Sequence, residues 1–124
     1  MRGLLAAALV CFAKMAVAQE ETALADGALL RGLDKVSGAV HDVALRSGKS
    51  IEIGNLRVAL GECRYPVANP VGDAFAHLNI QNIDTNDTVF TGWMIASSPA
   101  LNPLEHPRYD VWVLRCAMAE TSGE

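Results

Sequence analysis

No basic cluster interrupts this chain: ten Lys/Arg stand against fourteen Asp/Glu, with no block of five like charges. An electrostatic footprint for nucleic acid or for an anionic membrane surface is therefore missing, and the acidity reads as an ordinary solvated surface. Cysteine is sparse, with only Cys11, Cys63 and Cys116. No C-x-x-C pair or Cys/His cluster accompanies them, which argues against a dithiol redox centre or a zinc ribbon. No apolar run reaches the length a helix needs to span a bilayer. A G-x-S-x-G elbow, an internal repeat and a low-complexity tract are also missing.

What is there begins with an address. Arg2 sets a short positive n-region, Gly3 to Ala13 form an apolar h-region, and Ala16-Val17-Ala18 matches the small-residue site of signal peptidase. Residues 1–18 are expected to be a signal peptide cleaved between Ala18 and Gln19, delivering the chain to the periplasm. Lys14, between h-region and cleavage site, departs from the usual pattern. Val10 precedes Cys11 where lipid attachment wants a small residue, so no membrane anchor is expected after cleavage. The mature chain holds one domain, and its eight Lys/Arg against fourteen Asp/Glu leave it more acidic than the precursor.

Cleavage removes Cys11 and leaves Cys63 and Cys116, an even pair in an oxidising compartment, so a disulfide is expected. It would close a loop of about 54 residues, which the chain-entropy model values at about 4 kcal/mol.

The hydrophobic pattern after the leader has the period of strands. Residues 19–30 read as a flexible lead-in, with a helical turn conceivable over Ala28 to Asp34 between Gly27 and Gly32. Val36 to Leu45 reads as a strand ended by the turn Ser47-Gly48-Lys49. Ile51-Glu52-Ile53, Gly54-Asn55 and Leu56 to Leu60 spell a hairpin whose two-residue turn needs positive φ. Leu56, Val58 and Leu60 share a face that would exclude Cys63, so a bulge near Gly61-Glu62 is expected to turn the sulfur inward. Pro66, Pro70 and Gly72 mark a loop. Phe75 to Ile83 alternates, Asp84 to Asp87 turns, and Thr88 to Ile95 returns. Pro99, Pro103 and Pro107 exclude a regular strand over Ser97 to Arg108, where Ser98-Pro99 could start one short helical turn. Tyr109 to Cys116 is the last strand, with Trp112 and Leu114 on the face of Cys116. The reading is an all-β fold, a small antiparallel sandwich or partly closed barrel with one inter-strand disulfide, over residues 31–117, followed by a disordered tail at 118–124. An immunoglobulin core does not fit, because Trp93 lies too far beyond Cys63 and Leu114 stands where the tyrosine corner would be.

The segments Gly92-Trp93-Met94, Ser97-Ser98-Pro99-Ala100-Leu101-Asn102 and Glu105-His106-Pro107-Arg108-Tyr109-Asp110-Val111-Trp112-Val113-Leu114 resemble DUF2155, a family found mainly in alphaproteobacteria. Leu33-Asp34-Lys35-Val36 followed by Gly38, and Cys63-Arg64-Tyr65-Pro66, are similar to its earlier signatures, so the resemblance covers about Leu30 to Cys116. It implies an exported protein without an assigned activity, ligand or catalytic residue. Genes of the family neighbour one for a small accessory subunit of respiratory complex I, which implies a role beside an inner-membrane complex.

Ser97, Ser98, His106 and Asp110 supply the residue types of a hydrolase, but no nucleophile turn surrounds either serine. His41, His77 and His106 sit at no metal-ligand spacing, so neither metal nor cofactor is expected. Trp93 reads first as a core filler and second as an anchor on a binding surface, and both faces of its strand are apolar, as suits a central strand or one covered by a partner. A long proline-stiffened loop rich in charged groups is a common place for function. The expected role is therefore a non-catalytic protein-binding domain, contacting its partner through Trp93, Glu105, His106, Arg108 and Asp110. The alternatives are a small periplasmic enzyme or a carbohydrate- or lipid-binding module.

Overall fold

A computed structural model describes residues 20–118, which form eight strands and no helix. These are β1 (Thr22–Leu24), β2 (Gly27–Asp34), β3 (Val40–Arg46), β4 (Ser50–Ile53), β5 (Leu56–Pro66), β6 (Phe75–Asn82), β7 (Thr88–Ile95) and β8 (Tyr109–Ala117). The leader, its cleavage site and the tail beyond Met118 lie outside the described residues.

Two antiparallel sheets stack into a sandwich. One has the order β1-β5-β6-β7, with β4 also paired to the long strand β5; the other has the order β3-β2-β8. No strand pairing closes them into a barrel. Leu56, Val58, Leu60, Leu78 and Ile80 from the first sheet meet Leu30, Val111 and Val113 from the second, all at most 1% exposed. Cys63 on β5 is bonded to Cys116 on β8, with Cα atoms 5.7 Å apart, so the disulfide ties one sheet to the other.

Local chemistry explains the regions that follow expectation. Gly54, at φ 57°, makes the turn between β4 and β5, where Ile53 pairs with Leu56. The Tyr109 ring packs on the same glycine, in space that a Cβ there would occupy. The β5–β6 register shifts between Leu60 and Glu62, which restores Cys63 to the interior at 0% exposure. Asn86, at φ 58°, turns β6 into β7.

Four stretches differ from expectation. The lead-in is not free: Thr22–Leu24 pairs with Arg64 to Pro66, and Ala25 N–H donates to the Cys63 carbonyl. Ala28 to Asp34 is no helical turn but part of β2, the central strand of its sheet, held by β3 on one side and β8 on the other. Its Ala, Leu and Arg favour helix locally, yet Ala28 and Leu30 alternate into the core, and paired neighbours on both sides override the local preference. The next strand starts at Val40 rather than Val36, because Asp34 Oδ1 accepts Val36 and Ser37 N–H in a turn completed by Gly38 at φ 76°. In β8, Tyr109, Val111 and Val113 face the core while Trp112 does not. A register shift opposite Leu29/Leu30 lets Cys116 turn back to its partner, so Trp112 and Cys116 lie on different faces.

Candidate contact site at the proline-braced loop

The loop between β7 and β8 joins the edge of one sheet to the edge of the other. At its start Ser97 is fixed by Asp73: Ser97 N–H donates to Oδ1 at 3.0 Å and the Ser97 hydroxyl to Oδ2 at 2.7 Å. Ser98 N–H then donates to the Ile95 carbonyl, and Leu101 N–H to the Ser98 carbonyl, which makes a hydrogen-bonded turn in place of the short helical turn. Asn102 Nδ2 donates to the Trp93 carbonyl at 3.0 Å, closely over Gly92, where a Cβ would come within 2.9 Å of that nitrogen. Leu104 is 4% exposed and inserts into the core as the loop's apolar anchor.

The far end is fastened more firmly. His106 Nδ1 accepts the N–H groups of Arg108 (3.0 Å) and Tyr109 (3.1 Å), so this ring nitrogen carries no proton. The imidazole lies beside the Tyr109 ring, with centroids 5.4 Å apart. Lys35 Nζ donates to the His106 carbonyl at 2.6 Å, and Lys35 N–H donates to the Arg108 carbonyl at 2.7 Å. Arg108 donates through Nε and Nη2 to Asp34 Oδ2, at 3.3 and 3.1 Å, and sits over the Tyr109 ring. Those hydrogen bonds hold the Asp34 carboxyl down at about 2, against the opposing effect of burial, with the Val36 and Ser37 N–H groups adding to the shift. Asp34-Lys35 and His106-Arg108 are thus signature segments remote in sequence and joined in space.

Between its two ends the loop leaves a groove of about 480 Å³ against β8, lined by Pro99, Ala100, Pro103, Asp110, Val111 and Trp112. Trp112 is half-buried and pairs across from Arg31 on the outer face. Asp110 pairs across from Leu33 and makes no side-chain hydrogen bond or ion pair with the described residues. The groove therefore offers proline and tryptophan surface with one uncompensated carboxylate.

The expected contact residues separate on this frame. Asp110 lines the groove and Glu105 is exposed on the loop without a polar partner among the described residues. His106 and Arg108 direct their polar groups into the chain's own fastening. Trp93 is 40% exposed on the outer face of its own sheet, edge-on to His77 at 5.2 Å, while Phe90 and Met94 fill the core side. Core filling, the first expectation for Trp93, is thus corrected; strand alternation gives that side to its neighbours. It lies in a separate shallow apolar patch with Thr22, Arg64, Phe75 and Ile95. Asp34, Lys35 and Leu104 were not singled out from sequence as site-forming residues. Their signal lay only in the signature segments, since their partners are distant along the chain.

No hydrolytic constellation assembles among the described residues, because Ser97 is bonded to Asp73 and His106 to backbone N–H groups. No group of three His, Cys, Asp or Glu among them converges to hold a metal.

Residues 28–116 match the model of an uncharacterized protein family conserved in bacteria, DUF2155. The chain belongs to the DUF2155 family. The uncharacterized protein RP359 of Rickettsia prowazekii (strain Madrid E) is 29% identical over 87 residues, covering 68% of this chain and 56% of that protein. The chain thus spans little more than half the length of this relative. No solved structure matches it. Among these DUF2155 residues, the loop fastening and the groove occupy the segments that carried the resemblance.

Proposed function

We propose that this DUF2155 protein is an exported, non-catalytic protein-binding domain whose contact site is the groove between the proline-braced loop and β8. The observation that carries the reading is the combination of a pinned loop and a groove walled by Pro99, Pro103 and Trp112. Prolines and anchored ends limit the loop's conformations before binding, so little ordering entropy is left to oppose association. Tryptophan is enriched among the residues that anchor protein interfaces, and Trp112 is half-buried at this groove. The unpaired Asp110 carboxylate suits a partner segment with an apolar side chain next to Lys or Arg. The Cys63–Cys116 bond supports the periplasm as the compartment. An inner-membrane respiratory complex is the first partner class to test.

A photoreactive residue in place of Ala100, in the chain expressed in its native cells, tests this directly. Adducts to one protein, mapped to an extended apolar-basic segment, are expected. Adducts only to lipid or glycan, or none while the protein is folded, would refute the reading.

A further inference from the structure

Among the described residues the sandwich has free sheet edges, and those other than β3 carry protecting features. β1 and β4 are short, at three and four residues. On the edge of β7, the carbonyls of Ile95 and Trp93 are taken by Ser98 N–H and Asn102 Nδ2. β8 is bulged, and the loop runs beside it through Pro99, Ala100 and Pro103. β3 has none of these devices. Its seven residues pair with β2 in unbroken register and contain no proline or lysine.

The outward groups of β3 follow from its hydrogen bonds. Asp34 N–H donates to the Ala39 carbonyl and Ser47 N–H to the Asp26 carbonyl, at opposite ends of the β2–β3 ladder. With that alternation, His41, Val43 and Leu45 direct their main chains to β2, while Val40, Asp42 and Ala44 direct theirs away from it. These last three residues are exposed, Val40 to 52%.

We infer that β3 pairs with β3 of a second copy, antiparallel about a two-fold axis at Ala44, to form a continuous six-stranded sheet. Charge selects this partner and register. With Ala44 opposite Ala44, Asp42 of each copy faces Arg46 of the other, twice per dimer, whereas centring on Asp42 would bring two carboxylates together. The Arg46 side chain is exposed and has no hydrogen bond or ion pair with the described residues. Asp42 accepts Arg31 through both oxygens, at 2.7 and 2.9 Å, and retains the second lone pair of each for a further donor. Ala44 on the axis is small enough for close approach. This edge lies across β2 from β8, so the dimer leaves both grooves open.

Sedimentation velocity of the purified chain over a dilution series tests the inference. A dimer that dissociates on dilution is expected, with Arg46→Glu and Asp42→Arg each raising its dissociation constant at least about tenfold by turning both cross-strand pairs into like charges. Mixing those two variants restores attraction at both pairs and should yield a heterodimer. Ala44→Pro, which removes only an outward N–H, should abolish dimerisation with the thermal midpoint nearly unchanged. A wild-type chain that stays monomeric throughout, a dimer that survives Ala44→Pro, or a mixture of folded charge variants that stays monomeric would overturn it.

Discussion

Replacing Cys63 and Cys116 together by alanine removes the disulfide that ties β5 of one sheet to β8 of the other. The bond spans a sequence separation of 53, and the chain-entropy relation assigns a loop of that size about 4 kcal/mol. Against a total of about 5–15 kcal/mol for an ordinary domain, this is a large share. For a domain of this size, each kcal/mol moves the thermal midpoint by roughly 4–8 °C, so the double variant should unfold roughly 15–30 °C lower. The mechanism has a second signature. If the bond acts by restricting the unfolded chain, its loss exposes more surface on unfolding and the denaturant slope should rise. Thermal scans and urea titrations of the oxidised wild type and the double variant measure both. A midpoint drop below about 5 °C, with an unchanged slope, would show that the bond does not stabilise the domain by restricting the unfolded chain.

His106→Ala should cost about 1–3 kcal/mol in urea unfolding by stranding the Arg108 and Tyr109 N–H groups, whereas His106→Asn should recover part of the loss by offering an oxygen. The Asp34 carboxyl, held near 2 in the folded chain against an ordinary 3.8, should contribute stability that is fully present above about pH 5 and lost as the pH falls through 2. Carboxyl NMR should show its midpoint climbing toward 3.8 in Arg108→Ala; an unmoved midpoint would contradict the pairing. Gly54→Ala should destabilise the domain by more than about 1 kcal/mol, since the new Cβ would combine positive φ with a clash against the Tyr109 ring.

Legibility in the sequence followed the range of the interactions. The β4–β5 turn and the β5 bulge were readable because Gly54-Asn55 and the parity break before Cys63 are local marks. β2 was not, since Ala28 to Leu33 carries helical residue types and only its pairing with β3 and β8 decides the outcome. The β8 bulge was hidden because apolar residues occupy both faces of Tyr109 to Cys116, which leaves no parity to break. Three prolines marked the loop as non-strand, but its anchors are remote: Arg108 reaches Asp34 across 74 positions and Ser97 reaches Asp73 across 24. Asp110, singled out from sequence by type, lines the groove, whereas the walls at Pro99, Ala100 and Pro103 required the loop's path.

In the proposed function the groove, rather than some other face, engages the partner. Tagged protein recovered from native membranes after mild crosslinking, as wild type, Ala100→Trp and Thr91→Trp, tests it most directly. Ala100→Trp fills the groove, while Thr91→Trp enlarges an exposed position on the opposite sheet. One partner common to wild type and Thr91→Trp and absent from folded Ala100→Trp is expected; equal recovery by all three would rule out the groove as the contact site.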